Sequence, residues 1–503
     1  MADSVEDSRF DMMHSRNFRF RRRESTQGKQ SDGFEPGKEQ EADRLVGDTA
    51  WDGLHRPRIY YAMFATFCGV FLSVLDGTIC NVALPSIADQ LRISSSDSIW
   101  VVNAFQLVIM MCLLPFASLG ELKGYKYVYL RGVFVFTLGS LCCALSCNLL
   151  SLALSRVLQG FGAAMMMSVN TSIVKLIYPK RYLGRGVGLN ATIVAIASVT
   201  GPSIAAGILS VASWPWLFAI NIPIGIVTFF IARKFLPDNP VKVVGRRFNL
   251  PEAVLNALVF GLLIGSLEAY SHDASITYVL AGILALLVFG GLYIRMQKGE
   301  RYPMLPLDLL RIPVFSMSVA TSILSFTAQM IGMVAIPFML VKTFGYDAVG
   351  TGLIMTAWPL VIVFVAPTAG WLIGRVHPGI LGGLGLILLS AGCFSLAFVS
   401  ADTGHWGLVL RLMMCGAGFG MFQSPNNHLL LSSAPPQRAG SASGMLATAR
   451  LTGQTTGAAL VALMFHLFGD SAPHDAMLLA GGIAFCGAVC SCLRLKEKLP
   501  SAR

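Results

Sequence analysis

The stretch Leu75-Asp76-Gly77-Thr78-Ile79-Cys80-Asn81-Val82-Ala83-Leu84-Pro85 places a carboxylate, Asp76, inside an apolar run that extends from Ile59 to Ile87. An ionised side chain at the centre of a membrane helix costs at least ~2.5 kcal/mol, so an acid kept there is expected to have work to do. Such a residue needs a surrounding bundle that shields it from lipid. The rest of the sequence supplies one.

Only 13% of the 503 residues are charged and 54% are hydrophobic, with a mean hydropathy of +0.64. Soluble domains carry about 25% charged residues, so the chain belongs to the membrane class. The net charge of +11 is unevenly spread, because residues 1–57 hold 10 Lys and Arg against 12 Asp and Glu. The basic excess therefore sits in the membrane part, where lipid headgroups and the positive-inside bias account for it; nucleic acid is not an expected partner. The 11 cysteines lie in or beside apolar runs and none forms a C-x-x-C pair, which reads as small buried thiols without metal or redox work. No G-x-x-x-x-G-K-[ST] sequence is present, and the connecting loops leave little room for a catalytic cluster. An enzyme is not expected, nor is a cofactor.

From Ile59 onward, fourteen apolar runs long enough to cross a ~30 Å hydrocarbon layer follow one another. Loops after the even-numbered runs carry eighteen Lys and Arg, among them Lys123, Lys126, Arg233, Arg295, Arg375 and Arg438, whereas loops after the odd-numbered runs carry only Arg92 and Lys342. This asymmetry places both termini in the cytoplasm of a multi-pass protein of the cytoplasmic (inner) membrane. Residues 1–57 are polar and mixed in charge, with one basic cluster from Arg19 to Arg23, and are expected to form a disordered tail.

The two ends of the membrane part resemble each other. A shift of 256 positions superposes Gly160 on Gly416, Gly162 on Gly418, Asn170 on Asn426, Pro179 on Pro435, Thr192 on Thr448 and Gly201 on Gly457. A shift of 252 lays Val82-Ala83-Leu84-Pro85 on Val334-Ala335-Ile336-Pro337. Runs one to six thus repeat as runs nine to fourteen, in parallel, with runs seven and eight inserted between them. The expected organisation is a tail (1–57), a six-helix bundle (58–236), a linker with two extra helices (237–300), a second six-helix bundle (301–494) and a short cytoplasmic tail (495–503).

Six segments carry a family resemblance over residues 59–494. They are LDGTICNVALP, the loop Ala117–Lys126, LALSRVLQGFGAA (152–164), TGPSIAA (200–206), SWPWLFAINIPIG (213–225) and TARLTGQTTG (448–457). In this order and spacing they resemble the major facilitator superfamily, specifically its fourteen-span drug:proton antiporter branch of the EmrB/QacA type, and within it the YebQ-type transporters. The resemblance implies an all-α integral membrane protein of the major facilitator fold, with 14 transmembrane helices arranged 6 + 2 + 6 and a substrate path between the halves. It also implies proton-coupled export, driven by the proton gradient, of lipophilic or amphipathic molecules such as drugs, dyes or quaternary amines, and a monomer is the expected oligomeric state. A transporter dedicated to one metabolite is the alternative.

At 1.5 Å per residue, Asp76 lies ~15 Å and Arg156 ~9 Å from the outer ends of their helices, comparable depths at which the two can meet. With Arg450, inside run thirteen, they are the expected proton-coupling or substrate residues. The family latches its inward gate with the loop that here holds Glu121, Gly124 and Lys126; Glu121 stands where the family has Asp, and Leu122 and Tyr125 replace two Arg. Arg375 closes the corresponding loop of the second half. Gly201-Pro202 matches an antiporter motif whose following two glycines are here Ala205 and Ala206. Asn81, Asn426, Asn427 and His428 are expected to line the path, and Asn221 to mark the family without entering the site. One acid serving both proton and cargo argues for neutral or monocationic lipophiles over dications.

Overall fold

The computed structural model describes residues 53–179, 183–238, 248–271, 276–297, 307–373, 375–400, 402–435 and 438–494. Seventeen α-helices follow one another within them. They are α1 (Arg58–Leu91), α2 (Ser95–Ser98), α3 (Trp100–Lys123), α4 (Tyr125–Ala144), α5 (Leu149–Ile177), α6 (Leu183–Val211), α7 (Pro215–Ala219), α8 (Asn221–Phe235), α9 (Leu250–Ser271), α10 (Ile276–Gln297), α11 (Pro313–Lys342), α12 (Ala348–Met355), α13 (Ala357–Leu372), α14 (Pro378–Ala397), α15 (His405–Ser433), α16 (Ala439–Phe468) and α17 (Ala472–Leu493). In hydrocarbon a backbone must satisfy its own polar groups, and helices do so within one segment.

Local chemistry sets the boundaries. Asn148 and Ser151 form a capping box that starts α5, Asp347 caps α12 through Gly350 N–H, and Pro215, Pro313 and Pro378 occupy first-turn positions where a missing N–H costs nothing. Gly124, at φ +109°, breaks the chain between α3 and α4 in a conformation that a side chain would resist.

Twelve spans among the described residues are long and apolar enough to cross a membrane. The fourteen expected runs are all helical, but α9 counts as a shorter apolar helix, over Leu250–Ser266, and α15 falls short in composition, giving up apolar positions to Arg411, Gln423, Asn426, Asn427 and His428. A second difference concerns the tail. The segment expected over 1–57 lies outside the described residues up to residue 52, and its last residues are folded: Leu54 is buried and its N–H donates to Ile177 O. The basic cluster from Arg19 to Arg23 and the tail over 495–503 also lie outside the described residues.

The repeat is visible in the packing. A Cβ added to Gly162 would lie 2.3 Å from Phe136 N and 2.7 Å from Gly132 O; one added to Gly418 would lie 2.4 Å from Leu389 N and 2.6 Å from Gly385 O. Phe136 and Gly132 correspond to Leu389 and Gly385 by one common shift, so the same glycine lets the same two helices touch in each half. Pro85 inside α1 likewise recurs as Pro337 inside α11.

Helices α1 to α8 pack on one another, as do α11 to α17, and the halves meet along α1 with α11, α6 with α12 and α3 with α16. The pair α9 and α10 sits at one side of this junction, with α9 packed on both α3 and α16. We call the end of the bundle with the basic loops the inner end. Towards the outer end a single apolar core runs through both halves, from Leu75, Leu84 and Trp214 to Phe338, Phe465 and Ala472. Towards the inner end the apolar residues separate into two other clusters, one around Phe136 and Val169, which also takes in Leu451 and Ala459 of α16, the other around Phe315 and Leu430.

Candidate functional site

Asp76 and Arg156 meet as their depths suggest, inside the first half. Arg156 Nη1 donates to Asp76 Oδ2, and both side chains are almost wholly excluded from solvent, at 0% and 1% exposure. Two amides complete the carboxylate: Gln159 Nε2 donates to Oδ1 at 2.8 Å and Asn221 Nδ2 donates to the same oxygen at 2.9 Å. Arg156 is held in turn by Val101 O (2.8 Å) and Gln159 Oε1 (2.6 Å), and its guanidinium lies 4.1 Å from the Phe105 ring. Burying a charge is tolerable only when it is paired and hydrogen-bonded; the ion pair and its amides supply this, with Arg156 Nη2 alone left without an acceptor among the described residues.

The second half has no such cluster. By the repeat shifts, Asp76 falls on Ala328, Arg156 on Leu412 and Gln159 on Cys415, all buried. The duplicated fold packs equally well with apolar residues at these positions, so packing alone does not call for the ion pair.

A cavity of about 710 Å³ lies between the halves, within the range that holds drug-sized ligands. The stripe Ser73, Gly77 and Asn81 of α1 lines it. Asp76, one residue from that stripe and therefore turned ~100° around the helix, does not line it. The expected contact between Asp76 and cargo is thus corrected: the acid faces a wall of its own half. Among the described residues, no Asp or Glu lines the cavity.

Arg450 does line it, four residues from Gln454 on one face of α16. Gly453 and Gly457 occupy the adjoining face, where an added Cβ would lie 2.5 Å from Ile323 O and 2.6 Å from Thr327 O; this contact with α11 fixes the direction in which Arg450 points. Six amides share the lining: Asn81, Gln106, Gln329, Gln423, Asn427 and Gln454. The Oδ1 of Asn81 and the Oε1 of Gln106 are buried without a hydrogen-bond partner. Phe105, Phe326, Phe419 and several methionines form the apolar walls. Sequence reading missed the glutamines and underrated Asn221. Gln159, one helical turn from Arg156, carried a readable signal; the others become visible only in the assembled cavity.

Of the remaining candidates for path lining, Asn427 reaches the cavity and Asn426 does not. Asn426 is buried in its own half, donating to Ser322 Oγ at 2.7 Å and accepting from Arg494 Nη1 at 2.7 Å. One step along a helix turns a side chain by ~100°, which separates the two neighbours. His428 is exposed and outside the lining, a second correction with the same cause.

The gating candidates divide by location. Lys126 pairs with Asp238 at 3.6 Å, tying its loop to the chain after α8, while Glu121 and Gly124 flank the same break between α3 and α4. Arg375 lies over Trp371 at 3.8 Å. Gly201 packs within its own half, where an added Cβ would meet Thr78 Oγ1 of α1, and Pro202 sits where the halves touch: a Cβ added to Gly352 of α12 would lie 2.5 Å from Pro202 O. Beside them Ser203 Oγ and Thr356 Oγ1 share a hydrogen bond of 2.9 Å across the junction.

Comparison with known proteins agrees with this architecture. The sequence matches the model of the Major Facilitator Superfamily over residues 66–458 and 320–502. It is 50% identical over 446 residues to the transporter YebQ of Escherichia coli (strain K12), covering 89% of this chain and 98% of that protein. It is 33% identical over 397 residues to the riboflavin transporter RibZ of Clostridioides difficile (strain 630), covering 79% and 86%. It is 28% identical over 408 residues to the multidrug resistance protein Stp of Mycobacterium tuberculosis (strain ATCC 25618 / H37Rv), covering 79% and 74%. A crystal structure of a POT family transporter with a thioalcohol-conjugated peptide shares the fold, with a TM-score of 0.68 at 15% identity over 86% of this chain and 96% of that one.

Proposed function

The chain belongs to the Major Facilitator Superfamily, and from that premise we propose that it is a proton-coupled secondary exporter of amphipathic small molecules across the cytoplasmic membrane. The observation that carries this reading is the cavity of about 710 Å³, lined from both halves, beneath one apolar core that runs through both at the outer end, with two smaller apolar clusters towards the inner end. That distribution supports a state open towards the inner end, from which cargo is taken and carried outward as the halves rock about it. In this reading α9 and α15 also cross the membrane, giving fourteen spans, with both termini cytoplasmic and the chain acting as a monomer without a cofactor.

The proton enters through the cluster around Asp76. Its carboxylate accepts from three donors in this state, and a proton arriving at Asp76 removes the charge that holds Arg156, Gln159 and Asn221 to it. Weakening these bonds loosens contacts among α1, α5 and α8, which couples protonation to helix movement without the proton meeting the cargo. The absence of the cluster from the second half supports a role beyond packing. Quaternary amines find no acid among the described residues of the cavity and are weak candidates as cargo.

A carrier of one metabolite is the second reading, favoured by the name of the riboflavin transporter RibZ. The test is a proton-flux assay in proteoliposomes against a panel of dyes, amphipathic acids, quaternary amines and riboflavin. Cargo-dependent proton movement that Asp76→Asn abolishes at unchanged expression supports antiport. Cargo flux in the variant equal to that of the parent, or no proton movement with any cargo, refutes it. Response to a single compound in the panel selects the second reading.

A further inference from the structure

We infer that the cargo binds as an amphipathic organic anion, its negative group on Arg450 and its planar apolar body against the wall that Phe326 and Phe419 form in edge-to-face contact. The inference rests on the reading of the central cavity as the cargo site and names the chemical class that this site takes.

Two arginines, one in each half, show the contrast. Arg156 is buried with a carboxylate, two aromatic rings and a carbonyl around it. Arg450 faces the cavity with no carboxylate within ion-pair distance among the described residues; its Nε is buried without an acceptor, and the Phe326 ring, 5.6 Å away, is the aromatic face over which it lies. A half-buried guanidinium without a counter-charge, its Nε cut off from any acceptor, is unfavourable, and an anion in the cavity would relieve it with bidentate geometry. Its orientation is imposed, because the backbone contact of Gly453 and Gly457 with α11 turns Arg450 and Gln454 together toward the space between the halves. Amide side chains complete the polar wall with donors and acceptors of either kind, and the unpartnered oxygens of Asn81 and Gln106 can take a hydroxyl or ring N–H of the same molecule. A cation would meet one positive charge and no negative one.

The test uses two xanthene dyes of similar size and opposite charge, fluorescein and rhodamine 123, with the full-length protein purified in detergent. Fluorescence anisotropy is expected to give at least tenfold tighter binding of fluorescein than of rhodamine 123. Arg450→Gln is expected to weaken fluorescein at least tenfold and leave rhodamine 123 within threefold, while Arg450→Lys keeps most of the preference. Equal affinity of the parent for the two dyes, tighter binding of rhodamine 123, no binding of fluorescein, or unchanged fluorescein affinity in Arg450→Gln overturns the inference. The dye comparison on the parent decides the matter should the variant fail to fold. Equilibrium binding needs no proton gradient, so the two readings fail separately. A fluorescein preference without proton flux sinks the export mechanism alone, and proton-driven export of rhodamine 123 without that preference sinks the anion class alone.

Discussion

Gly162 presses bare against the backbone of Phe136, with room for no side chain: a Cβ there would stand 2.3 Å from Phe136 N. The second half repeats the contact between Gly418 and Leu389 at 2.4 Å. Forcing one methyl group into such a contact moves two helices apart, at a typical cost of about 1–3 kcal/mol. Gly162→Ala and Gly418→Ala should each lower the thermal unfolding midpoint of the purified protein by similar amounts. An unchanged midpoint in either would mean that the helices are not held at this distance.

The pair Asp76 and Arg156 should behave as one unit. Removing either partner alone leaves a buried charge uncompensated, which typically costs about 3–5 kcal/mol. The double substitution Asp76→Ala with Arg156→Leu installs the residues that the second half carries at Ala328 and Leu412, and should recover most of that loss. Export should stay absent in the recovered protein. Proton-driven transport by the double variant would show that the cluster only packs.

Asn426 and Asn427 should fail in opposite ways. Asn426→Leu removes the acceptor of Arg494 and should cost about 1–3 kcal/mol of stability with little change in cargo affinity. Asn427→Leu alters the cavity wall and should change affinity with stability nearly intact. Thermal unfolding and dye binding on both variants check the contrast, and the reverse pattern would contradict the placement of their side chains.

Closure at the outer end depends on the approach of Gly352 to Pro202 O. A bulkier residue at this contact should hold the halves apart there. In Gly352→Leu, a cysteine introduced at Asn81 in a cysteine-free background should react faster with a membrane-impermeant thiol reagent added outside. No gain in labelling would place the closing contact elsewhere.

The sequence made the paired charges legible because an acid and a base in apolar helices are rare and their depths can be counted. It made the twin halves legible because glycines that permit close helix contact recur at a fixed spacing. Facing was harder. Apolar residues surround these helices on most sides, so nothing in their pattern told Asn426 from Asn427, or placed Asp76 behind the Ser73, Gly77 and Asn81 stripe. Amides were the other gap, since Gln106, Gln423 and Asn221 carry no charge to announce them and gain meaning only from what lies opposite. The count of spans stayed open for a related reason: polar positions in α15 that face inward lower the apolar content by which a crossing is recognised.

The ionic cluster exists in one copy within a molecule built from two, and this bears on energetics. One exchangeable carboxylate admits at most one hydrogen ion per turnover through that route. Trading it for a departing monoanion would carry two units of positive charge inward, so the electrical potential would drive the cycle twice while the pH difference would drive it once. At about 2.3 kcal/mol per charge for every 100 mV, voltage becomes the larger engine in any cell whose membrane is well polarised.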